Sequence, residues 1–447
     1  PWLAPPYAPI ELQVETLSGD SIQPDGWTNQ GEVRLGAQLT ARRQVTLLPQ
    51  VELRPAGEPF TGEPNLIGKP GSSWVTAPLT EPGGRYQWRI RAMPQRGFAG
   101  PWAQFSGTIG YEPNAPPAPN IRPLPRDGYV ASRRLSLAWT SSGNSSGEAG
   151  FAYSLDRSAE GQPASSVRTS QPHANVVAPA DGDWFFHLKV ADNAGNWSPV
   201  ATIAVHVDTV PIQLAGLKLS LTRFNPAVES TKLTAAVNKA TRVAVSVLAG
   251  GDRPVRTVDL GELRGPVTFQ WDGKDDQARA VPAGDYHLRL TAEDKAGSRA
   301  TALSDALTVM DKRIVVSLGQ QKLIAYQGDK LFLQTLVTTG GPELPTPTGT
   351  FHVLSKFSPF KFHSPWPKDS PFWYPDSPTT YAMLFDPAGY FIHDAPWRSW
   401  FGPGSNAVDG KPGGDGTGTH GCVNVPLRVE AALFAWTPIG APVIVQP

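Results

Sequence analysis

Three stretches of this chain repeat at a spacing near one hundred residues, and that period limits the fold more than any other feature. They are Gly84-Arg85-Tyr86-Gln87-Trp88-Arg89-Ile90-Arg91-Ala92, Gly182-Asp183-Trp184-Phe185-Phe186-His187-Leu188-Lys189-Val190-Ala191 and Gly284-Asp285-Tyr286-His287-Leu288-Arg289-Leu290-Thr291-Ala292. Each opens on glycine, sets an aromatic two positions later and then alternates; the opening glycines lie 98 and 102 residues apart. Alternation at period two marks a strand with one buried face, so Trp184, Phe186, Leu188 and Val190 share a side. Units of this size made of short strands and turns are β-sandwiches. The 44 Gly and 46 Pro fit dense turns, and 14 Trp argue against disorder, which is poor in aromatics.

The joints fall between the repeats. Glu112-Pro113-Asn114-Ala115-Pro116-Pro117-Ala118-Pro119 is a stiff proline-rich linker. Val207-Asp208-Thr209-Val210-Pro211 and Met310-Asp311-Lys312 are short junctions. They predict four domains: 1–112, 113–209, 210–310 and 311–447. The early aromatic of each repeat resembles the tyrosine corner of immunoglobulin-like folds. Ala191-Asp192-Asn193-Ala194-Gly195-Asn196-Trp197 is similar to the ending of bacterial Ig-like or fibronectin-like domains. Pro282-Ala283-Gly284-Asp285-Tyr286 is similar to the Ig-like domain of flagellar hook-cap proteins. The fold class expected is therefore mainly β: three tandem Ig-like sandwiches, then a β-rich domain with a short helix over Pro426–Trp436. The sandwiches are expected to act as spacers. The alternative is a wall-binding role, with Trp102 and Trp197 stacking on sugars; their places after Gly-Pro and Gly-Asn favour packing at strand ends.

Lys plus Arg and Asp plus Glu number 39 each, so the net charge is zero and nucleic acid is excluded as a partner. No run of 18 apolar residues provides a membrane span.

Cys422 is the single cysteine and lies in Thr419-His420-Gly421-Cys422-Val423-Asn424. A lone thiol forms no internal disulfide. With a separate histidine, His393 in Ile392-His393-Asp394-Ala395-Pro396-Trp397, it has the makings of a nucleophile and its base. A buried structural thiol is the alternative. One cysteine and scattered histidines lack zinc-ligand spacing, so no metal and no cofactor is expected.

These residues carry a resemblance. From Arg313 to Val445 the chain resembles the catalytic domain of the L,D-transpeptidases of bacterial cell walls. Thr419 to Asn424 matches that family's cysteine motif throughout, and Ile392 to Trp397 is similar to the histidine block of its mycobacterial type. Ile314–Leu318 and Gln321–Tyr326 resemble its opening hairpin. Thr338-Thr339-Gly340 and Pro345-Thr346-Pro347-Thr348-Gly349-Thr350-Phe351 resemble two further signatures. Two departures stand out. The 25 residues from 394 to 418 exceed the usual loop and are rich in Gly and Pro. Asp394 replaces a residue that is often small; because the family uses the backbone carbonyl there, the side chain is expected to be permissive.

The resemblance implies the chemistry. Cys422 would attack the acyl group of the diamino acid in a tetrapeptide stem of peptidoglycan, forming a thioester and releasing D-alanine. His393 would be the base, oriented by the Asp394 backbone carbonyl, acting on a thiol expected to titrate below its ordinary value. Backbone N–H groups of His420, Gly421 and Cys422 would hold the oxyanion; Thr419 and Asn424 belong to the motif. An amine acceptor gives a crosslink. Water would make the enzyme an L,D-carboxypeptidase, and a protein amine would make it a wall-protein anchoring enzyme. A non-catalytic wall-binding surface protein is the alternative from another class. Carbapenems are implied as inhibitors, and a monomer is expected. The chain opens at Pro1, read as the product of processing after export, with an extracytoplasmic location and an anchor upstream as further expectations. Phe357–Thr380 holds seven aromatics and six prolines, a density that disfavours helix and interior strand. It is expected to be an irregular lid, with Phe357, Trp366, Trp373 and Tyr374, joined by Trp397, walling a cleft over Cys422.

Overall fold

The computed structural model describes residues 4–447 and is built almost wholly of strands. Two compact units emerge: one runs to Val210 and takes in 295–297, the other holds the rest.

In the first unit, a three-stranded sheet (Ile10–Thr16, Glu32–Gln38, Trp74–Pro78) accompanies a six-stranded sheet centred on Leu47–Pro55 and Arg85–Pro94. Their inner faces meet at Val14, Leu35, Val51, Trp88 and Ile90. The next sandwich pairs Arg134–Thr140 and His173–Val177 in one sheet, with Glu148–Asp156, Gly182–Asp192 and Ala201–Val207 in the other. Trp139, Phe151 and Phe186 fill its core. Trp102 and Trp197 are half-buried and capped by cations: Arg89 and Arg91 lie 4.6 and 4.4 Å from the Trp102 ring, Lys189 4.9 Å from Trp197.

The repeated aromatic has one use in all three sandwiches. Tyr86 Oη accepts from Thr80 N and Glu81 N at 2.9 Å, Trp184 Nε1 donates to Ala180 O at 2.9 Å, and Tyr286 Oη donates to Pro282 O at 2.8 Å. Each polar tip pins the turn just upstream while its ring stays in the core.

The third sandwich departs from the two-sheet pattern. Its strands form one continuous sheet, bent around Phe224, Leu233, Val245, Trp271 and Leu288. Two 19-residue strands, Thr231–Ala249 and Arg253–Trp271, pair along their length with register shifts at Val237/Thr241, Val243/Ala244 and Val247/Leu248. Such bulges bend a strand, so one hairpin serves both layers.

The third sandwich is joined closely to the C-terminal domain. Met310 N donates to Phe224 O in the sandwich while the Met310 side chain sits in the C-terminal core. Asn225 Nδ2 donates to Lys312 O at 3.1 Å, and Arg223 Nη1 donates to Ile439 O at 2.8 Å. Glu229 Oε1 lies 2.6 Å from His352 Nε2 and raises that imidazole's pKa.

The C-terminal domain comprises β1 (Lys312–Ser317), β2 (Lys322–Gln327), β3 (Lys330–Leu336), β4 (Gly349–His352), β5 (Ser355–Phe357), β6 (Phe360–Phe362), β7 (Ser377–Thr379), β8 (Ala382–Asp386), β9 (Tyr390–Asp394), β10 (Val423–Val425), α1 (Leu427–Trp436) and β11 (Pro442–Gln446). One sheet runs β3-β2-β1-β11-β4, the other β5-β8-β9-β10. Ile314, Val316, Leu323, Met383, Ile392, Val423 and Leu433 of α1 pack together within it. The 357–380 segment is more regular than its prolines suggest. Phe360 and Phe362 alternate with Lys361 in a ribbon, β6 against β7, and both rings cover Phe391 at 5.2 and 5.1 Å. Pro378 is tolerated because a two-stranded ribbon has a free edge for the missing N–H.

Candidate active site

Parallel pairing of β9 with β10 sets the site. Ile392, His393 and Asp394 register with Val423, Asn424 and Val425, so His393 and Asn424 are cross-strand neighbours and Cys422 falls at the mouth of β10. The turn before β10 needs glycine. Gly421 has φ +103°, and a Cβ there would lie 2.3 Å from the Tyr390 ring. Thr419 Oγ1 closes this turn, donating to Cys422 O at 2.6 Å and accepting from Gly421 N at 3.0 Å. The Gly421 N–H is therefore already engaged. Of the three N–H groups expected to face an oxyanion, those of His420 and Cys422 remain.

The distant sequence blocks converge on this turn. Thr338 exchanges backbone bonds with Asn424 at 3.0 and 2.8 Å, and Thr419 N donates to Thr339 O at 3.0 Å. Thr346 Oγ1 accepts from Gly340 N at 2.9 Å and donates to Gly421 O at 2.8 Å. The Thr-Thr-Gly and Pro-Thr-Pro-Thr blocks are thus the splint of the cysteine turn.

His393 is 4% exposed. Its Nδ1–H donates to Asp394 O at 2.8 Å. Arg398 Nε donates to Asn424 Oδ1 at 3.3 Å, which turns the Asn424 amide so that Nδ2 donates to His393 Nε2 at 2.9 Å. Burial, the largest influence, lowers the imidazole to about 4, so it is neutral at pH 7. Enclosure likewise pushes the Cys422 thiol up to about 11, moderated by the Phe391 backbone N–H, although Cys422 keeps part of its surface open. The expected depressed thiol is not found. Lys411 lines the same cleft but is not among the influences on the Cys422 thiol, so no cation holds a thiolate and the resting pair is neutral thiol and neutral imidazole.

The Asp394 side chain is not permissive. It is fully buried and its carboxylate accepts from Thr379 Oγ1 at 2.6 Å, Thr380 N at 2.9 Å and Tyr381 N at 2.6 Å. Those bonds fix the carbonyl that holds His393. Behind it lies Glu430 of α1, fully buried, its carboxylate without a hydrogen-bond partner. Burial, then the Asp394 charge, keeps it protonated well above the ordinary range, and Lys356 opposes them.

Cys422, His393, Thr419, His420 and Asn424 line one cleft of about 430 Å³ with Tyr374 and Trp397. Tyr374 is pushed up to about 12, by burial first and then by Cys422. The other aromatics expected in the lid stand outside the lining. Trp366 packs on the His420 ring at 5.3 Å, Trp373 on the Lys411 ammonium at 5.8 Å, and Phe357 on Phe360 at 5.1 Å. Composition marked the segment but not which rings would turn inward. The His420 ring clasps this flap, its Nε2–H donating to Phe372 O at 3.0 Å. Sequence reasoning missed Phe362, whose ring lies 4.5 Å from that of His393, and the cleft residues Asp376 and Lys411. It missed Arg398 as well, which also donates to Gly414 O and Gly418 O at 2.8 and 2.9 Å and so organises the 394–418 loop. A lone cation directly after the His-Asp-Ala-Pro-Trp run was its only signal.

A thiol and a neutral imidazole opening into one cleft can perform base-assisted acyl transfer. Comparison with known proteins agrees with this class. Residues 311–445 match the family model described as YkuD, L,D-transpeptidase catalytic domain, and residues 226–296 match the FlgD Ig-like domain. The chain carries an L,D-transpeptidase catalytic domain at its C-terminal end, preceded by an Ig-like domain. Among solved structures, the catalytic domain of the E. faecium L,D-transpeptidase acylated by ertapenem is 32% identical over 31% of this chain and 98% of that one, with a TM-score of 0.25. The L,D-transpeptidase from Mycobacterium smegmatis is 16% identical over 53% of this chain and 100% of that one, with a TM-score of 0.30. The Ldtfm-avibactam carbamoyl enzyme is 31% identical over 31% of this chain, with a TM-score of 0.26, and half of that chain (50%) is covered. The basal-body rod modification protein FlgD of Salmonella typhimurium is 41% identical over 56 residues, 12% of this chain and 24% of its own length. The chain thus spans about a quarter of the curated relatives it matches.

Proposed function

We propose that the C-terminal domain is a peptidoglycan L,D-transpeptidase working through a Cys422 thioester. The observation that carries this reading is the pairing of β9 with β10, which sets the His393 imidazole and the Cys422 turn side by side on one cleft. The donor is a tetrapeptide stem. His393 Nε2 exchanges its bond with Asn424 for the thiol proton, and Cys422 Sγ attacks the carbonyl of the third residue. The oxyanion is met by N–H groups of His420 and Cys422. The amide C–N bond breaks, D-alanine leaves with the proton from His393, and the thioester remains. An amine of a second stem then attacks, gives a proton to His393 and forms the new amide, while the thiol recovers its proton. Because both resting groups are neutral, the proton moves only as substrate binds. The site acts outside the cytoplasm in this reading, where its polymer lies.

Intact mass after incubation with a carbapenem tests the proposal. One adduct on the wild type and none on Cys422→Ala is expected. Absence of an adduct and of tetrapeptide turnover in the wild type would overturn it.

A further inference from the structure

We propose that Lys411, on the long loop between His393 and Thr419, is a specificity-determining residue that reads a free carboxylate on the donor stem. The identity of the donor rests on the transpeptidase reading above; the placement of the charge does not.

Lys411 lines the cleft beside Pro412, Gly413 and His420. Its ammonium lies 5.8 Å from the centre of the Trp373 ring, which steadies it without neutralising it. Its field reaches the catalytic turn: burial first, then the Lys411 charge, lowers the His420 imidazole, against the bond to Phe372 O, which raises it. A cation in a cleft that also holds an acid normally pairs with it. Asp376 lines the same cleft but is occupied, with His363 Nδ1 at 2.8 Å and Lys361 Nζ at 3.8 Å. Asp415, on the loop of Lys411, is committed to Ser399 and the Trp400 N–H. Among the described residues no carboxylate lies within ion-pair distance of the Lys411 ammonium. The apolar part of the lining, Phe362, Tyr374, Pro375, Pro378 and Trp397, excludes water around any charge that enters. The group that fits is an anion of the substrate. A stem has two sources for it: the carboxylate of the terminal residue, and a carboxylate on the side chain of the diamino acid.

Calorimetric binding to the Cys422→Ala protein tests this without requiring turnover. Three probes are used: a tetrapeptide stem with both carboxylates free, the same stem amidated at its C-terminus, and the same stem amidated on the diamino-acid side chain. Adding Lys411→Met is expected to weaken binding of the free-acid stem about tenfold, the loss of one charge-assisted bond in a partly dry site. One amidation should give a similar loss in the Cys422→Ala protein and no further loss with Lys411→Met, which identifies the carboxylate. Lys411→Arg should keep most of the affinity. Equal weakening of all three probes, no weakening, or no binding of any stem would overturn the proposal. Turnover by the wild type is read beside it. Carboxylate-dependent binding without turnover sinks the reaction and spares Lys411; turnover without carboxylate dependence does the reverse.

Discussion

The floor and the roof of the cleft are built by different physics. The floor, β9, β10 and the turn between Thr419 and Cys422, is held by a mesh of directional hydrogen bonds, in which Thr419 Oγ1 has two partners and the Asp394 carboxylate three. The roof, the β6–β7 ribbon and the chain between its strands, is held by rings on rings: Trp366 and Tyr374 on His420, Phe362 on His393. Directional bonds fix atoms to tenths of an ångström, whereas aromatic packing tolerates sliding. Chemistry therefore belongs to the floor, while the roof and the loop that carries Lys411 share substrate choice.

The sharpest break would come at Gly421. Gly421→Ala combines a left-handed φ with a Cβ 2.3 Å from Tyr390, and is expected to lower kcat/KM by about a thousandfold, the scale of a lost oxyanion geometry. Steady-state turnover with a melting curve beside it would show whether activity falls far more than stability. Next is Asp394→Ala, which orphans the N–H groups of Thr380 and Tyr381 and leaves Thr379 Oγ1 only its backbone acceptors. It should cost about 3 kcal/mol in urea unfolding. A loss under about 1 kcal/mol would mean the carbonyl alone does the orienting.

The floor also predicts a pH signature. His393 titrates near 4 in the fold against an ordinary 6.5, so the unfolded chain takes the proton first. Its stability contribution is complete above pH 6.5 and declines as pH falls to about 4, by about 3 kcal/mol. The thiol has the opposite sign: raised to about 11, it weakens the fold only as pH rises above its ordinary value of about 9. Ultraviolet absorbance of the free enzyme should show no thiolate step until the alkaline range; a step between about pH 4 and 8 would mean a preformed ion pair. The smallest effects belong to the roof. Trp366→Ala should raise KM about threefold with kcat nearly unchanged, the value of one aromatic contact. Phe357→Ala, outside the cleft, should leave both constants alone. A kcat loss from Trp366→Ala would give the roof a share in the chemistry.

The sequence exposed these two regions unequally. Cys422, His393, the Asp394 carbonyl and Asn424 were legible because local motifs fix them within a few residues of one another or at the end of a recognisable strand; the engaged Asp394 carboxylate was not. The period of the sandwiches was legible because Tyr86, Trp184 and Tyr286 recur with the same local geometry. Arg398, Lys411 and Phe362 were not, since each acts through partners many residues away that no periodicity announces. The pKa values were hidden for a similar reason: enclosure by distant parts of the chain, more than the neighbouring motif residues, sets both Cys422 and His393. The single bent sheet of the third sandwich depends on three register shifts, which alternation of apolar residues does not reveal.

Met310 has a consequence for how the second unit comes apart. Its N–H belongs to the ladder of the third sandwich and its side chain to the core under the active site. Neither core can melt without opening a hole in, or stripping a bond from, the other. With the Asn225 and Arg223 bonds acting in the same sense, residues 211–447 should give one calorimetric transition, not two. A proteolytic cut before Lys312 would then release a catalytic piece already missing part of its own interior.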